Sequence, residues 1–327
     1  MHLDAFELHQ PATVEDALAI ARAHPGAFDF LAGGTDLLPN YKMHLNLRPQ
    51  LISLDRVQEL RAFRPEQGWI GAMVRLRELE SSPVVRERHA ALAQAASEVA
   101  TPLVRASGTV GGNLLVETRC FFFNQSQPWR EALGFCLKAE GDQCHVVPQK
   151  ERCYATFSGD LAPALMVLGA KVEVAGGSGR RRLPVEELYD PKGDGIRRTL
   201  LAPGEVLVGV EVPQGDPGQR SSYAKLRVRP SFDFPELGVA AALTEKDGKV
   251  ERLEIALGGL ETRPRLMRKE TGPLVGERLT DDRVRTLSEE IRRSVRPVHN
   301  TYLAPDYRRK MTGVFVRRAL RALRLPT

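Results

Sequence analysis

The chain has 327 residues, of which 42% are hydrophobic and 27% are charged, and these proportions exclude a disordered or fibrous protein. This length predicts two or three domains with sizeable cores. The N-terminus has no basic region followed by an apolar run, and no apolar stretch is long enough to cross a bilayer. We therefore expect neither a signal peptide nor a membrane span. A formal net charge of +6 leaves nucleic-acid binding open.

The first hundred residues alternate between predicted strands and helices, which is typical of an α/β fold. Thr13 is placed to cap a helix, because its hydroxyl can accept a hydrogen bond from the first turn. The predicted strands are 6–9, 28–31 and 51–54, the predicted helices are 14–24 and 37–43, and segments 69–74 and 84–100 continue the pattern.

Two glycine turns lie where predicted strands end, at residues 33–36 and 111–113. Adjacent glycines let successive backbone N–H groups point into one concavity and let a phosphate approach closely. Neither turn has the G-x-G-x-x-G spacing of a Rossmann site or the Lys-Ser/Thr ending of a P-loop. Phosphate-binding turns and simple tight turns that require positive φ are equally compatible with this local pattern.

All four cysteines lie in one segment with the spacing C-x15-C-x7-C-x8-C: Cys120, Cys136, Cys144 and Cys153. Disulfide frameworks usually join remote parts of small secreted domains, so this grouping indicates a metal site in a reducing cytoplasm. Zinc sites usually contain C-x2–4-C pairs, which this segment lacks. It is rich in aromatic residues, and an apolar shell suits an iron–sulfur cluster. We favour the cluster over zinc and over bystander cysteines; His145 could ligate zinc, or otherwise bond a cluster sulfur or the loop backbone.

The second half of the chain predicts a further set of elements after the cysteine segment. They are a helix at 160–168, strands at 171–175, 205–212, 222–228, 237–243 and 251–257, and helices at 281–294 and 305–325, with a linker at 215–219. The last helix alternates basic and apolar residues at helical spacing. This favours a solvated basic face over a phosphate-tracking patch, and a subunit-docking surface is also compatible with it.

The order of four motifs resembles that of the FAD-binding subunits of the molybdenum hydroxylase (xanthine dehydrogenase) family. The motifs are Leu31-Ala32-Gly33-Gly34-Thr35-Asp36-Leu37-Leu38-Pro39, Thr109-Val110-Gly111-Gly112-Asn113-Leu114, Gly159-Asp160-Leu161-Ala162-Pro163-Ala164-Leu165 and Tyr223-Ala224-Lys225. The resemblance covers essentially the whole chain and is most specific in its first half. In most of that family the second motif is followed closely by the third, whereas here residues 115–158 intervene and hold every cysteine.

The intervening segment is similar to the β subunits of 4-hydroxybenzoyl-CoA reductases. The similarity lies in motifs such as Thr118-Arg119-Cys120, Asn124-Gln125-Ser126, Cys136-Leu137-Lys138 and Gly141-Asp142-Gln143-Cys144-His145-Val146. In those enzymes four cysteines hold a 4Fe–4S cluster, which implies that role for Cys120, Cys136, Cys144 and Cys153.

The family resemblance also implies a set of FAD-binding residues. The backbone of 32–36 would wrap the pyrophosphate, and Thr109 with residues 111–113 would close the other side. Asp160 would accept hydrogen bonds from a sugar or ribityl hydroxyl, and Lys225 would contact the flavin end; taken alone, they could be a helix N-cap and an exposed strand residue. The implied set is Leu31, Ala32, Gly33, Gly34, Thr35, Asp36, Val99, Thr109, Gly111, Gly112, Asn113, Asp160, Leu207 and Lys225.

The implied fold is α+β. A two-lobed FAD-binding region of the PCMH type would occupy residues 1–56 and 57–215, and a C-terminal antiparallel sheet with helices would occupy residues 216–327. The iron–sulfur insertion, at about residues 116–157, is expected to be a long loop with little regular structure.

The implied function is electron transfer in a cytoplasmic molybdenum-containing 4-hydroxybenzoyl-CoA reductase of aromatic degradation. Electrons would pass from ferredoxin through the 4Fe–4S cluster and FAD to a 2Fe–2S small subunit and a molybdopterin-containing large subunit, in a dimer of heterotrimers. Dehydroxylation would occur on the partner, so no catalytic residue is expected here. The alternatives are the FAD subunit of another hydroxylase of that family and, from another class, a zinc-stabilised nucleic-acid-binding protein.

Overall fold

The computed structural model describes residues 3–216 and 218–323, in which the strands form three separate sheets. The strands are β1 Glu7–His9, β2 Phe28–Leu31, β3 Gln50–Ser53, β4 Phe63–Arg64, β5 Trp69–Gly71, β6 Lys171–Gly176, β7 Gly179–Pro184, β8 Val206–Glu211, β9 Arg220–Leu226, β10 Leu237–Lys246, β11 Lys249–Gly258 and β12 Arg265–Leu266.

Helices of mixed length connect these strands. The α-helices are α1 Val14–Ala23, α2 Leu37–Lys42, α3 Leu76–Ser81, α4 Pro83–Arg88, α5 Ala90–Ser97, α6 Pro102–Ser107, α7 Val110–Leu114, α8 Gln127–Ala132, α9 Leu161–Val167, α10 Arg268–Thr271, α11 Asp281–Ser294 and α12 Pro305–Ala322. Short 3₁₀ helices lie at Gln58–Arg61, Pro65–Gln67, Leu137–Ala139, Val185–Leu188 and Gly272–Leu274.

The first sheet is parallel, with strand order β1-β3-β2. Helix α1 begins as predicted, because the Thr13 hydroxyl accepts a hydrogen bond from the Asp16 amide at 3.0 Å. Its buried face, which includes Val14 and Leu18, packs in a core with Ile52 of β3. The loops that follow β2 and β3 therefore emerge at one edge of this sheet.

The second sheet is antiparallel, in the order β4-β5-β8-β6-β7, and packs against the fully buried helix α9. The predicted segment 84–100 belongs to a run of three short helices, α3 to α5. The Ser82 hydroxyl caps α4 and Pro83 opens it, and a proline cannot continue the preceding helix.

The third sheet is antiparallel, in the order β12-β11-β10-β9, and α11 and α12 bury their apolar faces against it. Helix α11 has the predicted bounds. Helix α12 is described to Ala322, so the predicted end at residue 325 lies outside the described residues, as does Pro217 of the predicted linker. The described part thus confirms the α+β expectation, while the domain limits near residues 56 and 215 stay a prediction.

The cysteine segment contains one short helix, α8, and one 3₁₀ turn, and its two ends meet in an isolated bridge between Arg119 and Thr156. The Asn300 side chain fastens it to the C-terminal region by donating to the Tyr154 carbonyl and the Thr156 hydroxyl, each at 2.6 Å. Within residues 3–216 and 218–323, no helix is both long and apolar enough to traverse a bilayer.

Candidate functional site

A cleft of about 900 Å³ lies where the first two sheets and the cysteine segment meet. Most of the predicted FAD-binding residues line it, although they come from distant parts of the chain. The predicted residues in its lining are Ala32, Gly33, Gly34, Thr35, Asp36, Val99, Thr109, Gly111, Gly112, Asn113, Asp160 and Leu207.

The first glycine turn follows β2 and requires both of its glycines. Gly34 has a φ of +71°, in the left-handed region that favours glycine. A Cβ atom on Gly33 would lie 2.1 Å from the carbonyl oxygen of Ser107, which belongs to the second lobe. The turn therefore brings the backbones of the two lobes into contact beside the cleft.

The second glycine motif is a helix start and not the turn that the sequence predicted. Gly111 and Gly112 lie in the first turn of α7, where the Thr109 hydroxyl accepts a hydrogen bond from the Gly112 amide at 3.0 Å. A Cβ atom on Gly112 would meet only the Thr109 hydroxyl, at 2.9 Å, and the Ala32 Cβ, at 3.8 Å. This side of α7 is therefore bare backbone facing the cleft.

Asn113, and not Asp160, makes the side-chain hydrogen bond that caps the start of α9. Asp160 precedes α9 without making a side-chain cap, and the Asn113 side chain instead accepts a hydrogen bond from the Leu161 amide at 3.0 Å. The buried Asp160 carboxylate accepts hydrogen bonds from the Tyr223 hydroxyl at 2.7 Å and from Lys225 Nζ at 3.0 Å. Because burial is the larger influence, the pKa of Asp160 is raised, although Lys225 and Tyr223 oppose the rise.

Lys225 and Leu31 lie outside the lining of the cleft, unlike the other predicted residues. The Lys225 side chain is fully buried, so it is not an exposed strand residue, and Nζ also donates to the Glu98 carbonyl at 2.9 Å. A buried carboxylate needs a paired cation, and Asp160 therefore holds this ammonium. The cofactor contact expected of Lys225 stays a prediction.

Several charged and aromatic residues line the cleft although the sequence did not predict them as site residues. Arg48, Arg119, Lys138 and Arg198 bring positive charge to it, and Phe232 and Phe234 bring exposed rings. Arg119 pairs with Asp36, and its guanidinium lies 4.3 Å from the centre of the Phe234 ring. Arg119 stands in a motif quoted above, but no local pattern distinguishes it from the many surface arginines.

Glu117 organises part of this charge. It accepts hydrogen bonds from Lys138 at 2.6 Å and from Arg198 at 2.7 Å. Burial raises the pKa of Glu117, but the charges of Lys138 and Arg198 outweigh that effect and lower the pKa to about 2. The carboxylate is therefore ionised at neutral pH.

All four cysteines line a second, small cavity, together with Phe122, His145 and other side chains of the same segment. The thiols are unbridged and buried. Burial raises the pKa of Cys120 to about 12, so a metal centre would have to displace the thiol proton in order to bind. Within the described ranges, no three His, Cys, Asp or Glu side chains form a group that could hold a metal ion.

Donor chemistry and space give different results when the cavity is tested for a cluster. Four buried thiols on one segment are the ligand set of a 4Fe–4S cluster. The enclosed volume is only about 10 Å³, roughly that of one water, so the segment must expand to admit a cluster. His145 Nε2 is buried at this cavity and has no hydrogen-bond partner within the described residues, so this nitrogen makes no bond to the loop backbone.

The two cavities share a wall. Phe123, Leu137 and Lys138 line both the large cleft and the cysteine cavity. Groups bound in the two places would be separated by about one layer of side chains.

Comparison with known proteins identifies this architecture. Residues 4–215 match the family described as the FAD binding domain in molybdopterin dehydrogenase, and residues 221–323 match the CO dehydrogenase flavoprotein C-terminal domain. The chain belongs to the FAD-binding subunits of the molybdenum hydroxylase family. The two-lobed FAD-binding fold with a C-terminal sheet-and-helix region is thereby confirmed. The family match also supports FAD as the cofactor of this chain.

Individual relatives agree with this family. The FAD-binding subunit PaoB of the Escherichia coli aldehyde oxidoreductase is 34% identical over 80% of this chain and 83% of its own length. The carbon monoxide dehydrogenase medium chain of Hydrogenophaga pseudoflava is 30% identical over 97% of this chain and 96% of its own length. A solved structure of that dehydrogenase superposes with a TM-score of 0.80 at 28% identity, covering 99% of this chain and 98% of the other.

The family membership also decides between the alternatives of different class. A zinc-stabilised nucleic-acid-binding protein is not favoured, because both family matches are to flavoprotein domains. The matches support an oxidoreductase subunit. They do not show a reductase substrate or a 4Fe–4S cluster.

Proposed function

We propose that this chain is the electron-transfer flavoprotein subunit of a molybdenum enzyme of the 4-hydroxybenzoyl-CoA reductase type. Its partners would be a molybdopterin-containing large subunit and a 2Fe–2S small subunit, in a dimer of heterotrimers. The relatives named above are subunits of an aldehyde oxidoreductase and a carbon monoxide dehydrogenase, so the aromatic thioester substrate depends on the motifs of the cysteine insertion.

FAD would occupy the cleft. The bare backbone of residues 32–36 and of Gly112 would face its pyrophosphate, while Arg119 and Arg198 would offset the diphosphate charge. Flavin chemistry lets one site exchange either one or two electrons. The apolar Val99 and Leu207 would contact the cofactor's rings and exclude water from them.

Cys120, Cys136, Cys144 and Cys153 would hold one 4Fe–4S cluster. The cluster supplies one-electron exchange at low potential, which suits a donor such as ferredoxin. The aromatic rings of Phe122 and Phe123 would exclude solvent from the cluster. Because all four thiols are buried, they are also shielded from oxidants in solution.

The observation that carries this proposal is the shared wall of the two cavities. Phe123, Leu137 and Lys138 lie between the cysteines and the cleft, so about one layer of side chains would separate the cluster from the bound cofactor. Such proximity suits two centres in series. Electrons would then continue from the flavin to the partners, where the substrate is reduced.

Replacement of Cys136 by serine in the intact complex tests the order of these centres. We expect Cys136→Ser to abolish the 4Fe–4S electron paramagnetic resonance (EPR) signal and to lower ferredoxin-driven reduction of the substrate at least tenfold, while FAD content changes little. Ser126→Ala is the matched control, because Ser126 is exposed in the same segment and makes no cap hydrogen bond. Retained iron and retained ferredoxin-linked activity in Cys136→Ser, or rapid reduction of the intact complex by NADH alone, would contradict the proposal.

A further inference from the structure

Lys138 is a buried cation whose ammonium makes three hydrogen bonds. Its side chain is 4% exposed, and Nζ donates to Glu117 at 2.6 Å, to the Gly195 carbonyl at 3.0 Å and to the Thr118 hydroxyl. Nζ also lies 4.7 Å from the centre of the Phe123 ring. Holding an ammonium in such a place is costly unless several partners compensate for its lost hydration.

Glu117 alone does not explain this cation. Arg198 already pairs with the other oxygen of the same carboxylate at 2.7 Å, and it also faces the Asp29 carboxylate. Arg198 is also more accessible, with 34% of its side chain exposed. Lys138 is the deeper of the two cations, and its charge acts on the Cys153 thiol as well as on Glu117.

The position of Lys138 brings its charge close to the four cysteines. Of the three residues that line both cavities, Phe123 and Leu137 are uncharged and Lys138 is the cation. It belongs to the 3₁₀ turn that directly follows Cys136. A cluster on four thiolates is net negative and becomes more negative on reduction, and charge interactions are strong where water is excluded.

We propose that Lys138 is a positioning residue that raises the reduction potential of the cluster held by the four cysteines. This inference rests on the proposed function. The ammonium stabilises the reduced state more than the oxidised state, because the reduced state carries one more negative charge. The step it would favour is a one-electron reduction by a donor of the ferredoxin class, and no bond changes at Lys138.

A redox titration of the anaerobic complex, followed through the EPR signal of the reduced 4Fe–4S cluster, measures this effect. We expect Lys138→Met to make cluster reduction at least tenfold less favourable, which is about 59 mV for a one-electron couple. Lys138→Arg should keep the equilibrium within about threefold, because the charge remains. Glu117→Gln should shift it in the opposite direction, since a negative charge is removed while both cations stay.

Lys150→Met is the control, because Lys150 is an exposed lysine of the same segment. An unchanged potential in Lys138→Met that still contains iron and FAD would overturn the inference and leave the proposed function standing. If Lys138→Met does not retain iron, the Lys138→Arg and Glu117→Gln pair decides. A higher reduction potential of the cluster in Glu117→Gln, together with little change in that potential in Lys138→Arg, supports the inference. Any other result overturns it. A wild-type complex without a 4Fe–4S signal would instead refute the proposed function.

Discussion

Replacing Gly33 by alanine should separate the two lobes that enclose the cleft. The added methyl would lie 2.1 Å from the carbonyl oxygen of Ser107 and 2.8 Å from its carbonyl carbon. Non-bonded atoms of this kind pack at roughly 3.5 Å, so one backbone must move by about 1 Å or more. Such overpacking costs about 1–3 kcal/mol.

Most of that cost should appear in FAD binding, because the free cleft can open whereas a bound cofactor holds both lobes together. A loss of about 1–3 kcal/mol corresponds to a roughly 5- to 150-fold higher Kd for FAD. Titration of flavin-free protein with FAD, followed by quenching of flavin fluorescence, measures the change. Gly177→Ala is the matched control, because a Cβ atom at that turn has nothing within 4 Å.

A second glycine tests whether the effect comes from the cleft or from strain between the lobes. Gly112→Val should also weaken FAD binding, but its Cβ atom would press on the Thr109 hydroxyl at 2.9 Å and not on the Ser107 backbone. Its melting temperature without FAD should therefore fall less than that of Gly33→Ala. If Gly33→Ala bound FAD within twofold of the wild type, the placement of the cofactor beside this turn would be wrong.

Three further predictions concern the residues around the cleft. Lys225→Met should cost about 3–5 kcal/mol of unfolding free energy in urea denaturation, because it leaves a buried carboxylate unpaired; an unchanged midpoint would refute the ion pair. The folded-state pKa of Glu117, about 2, lies below the ordinary 4.5, so its contribution of about 3 kcal/mol is present above pH 4.5 and lost as the pH falls towards 2. Glu117→Gln should therefore flatten the acid limb of a melting-temperature profile, whereas Glu87→Gln, which removes an exposed carboxylate, should not. Thr109→Ala and Thr13→Ala should each lose about 1 kcal/mol from a helix cap, but only the former should also weaken FAD binding; equal FAD affinity in both variants would exclude Thr109 from the site.

The sequence predicted elements well where local chemistry determines them. The Thr13 cap and the full extent of α11 depend on residues within a few positions of one another. The predicted segment 84–100 begins just after Pro83, which opens α4, but the prediction overlooked the break between α4 and α5 at His89.

Features that depend on distant residues were beyond the sequence. Nothing in the sequence near Lys225 indicates that it forms an ion pair with Asp160, since the two meet only when β9 lies beside the start of α9. The same holds for Arg198, whose partner Glu117 lies on the other side of the cysteine segment. The cysteines were recognised as a group from spacing alone, but the wall that their cavity shares with the cleft is a tertiary property.

The central claim is that one chain holds FAD and a 4Fe–4S cluster as two centres in series. Its most direct test is to freeze the anaerobic complex within milliseconds of mixing with reduced ferredoxin, and to follow the EPR signal of the cluster and the absorbance of the flavin together. The account predicts that the cluster is reduced first, that the flavin follows, and that acid releases FAD and no FMN. Reduction of the flavin with no 4Fe–4S signal at any time would contradict it.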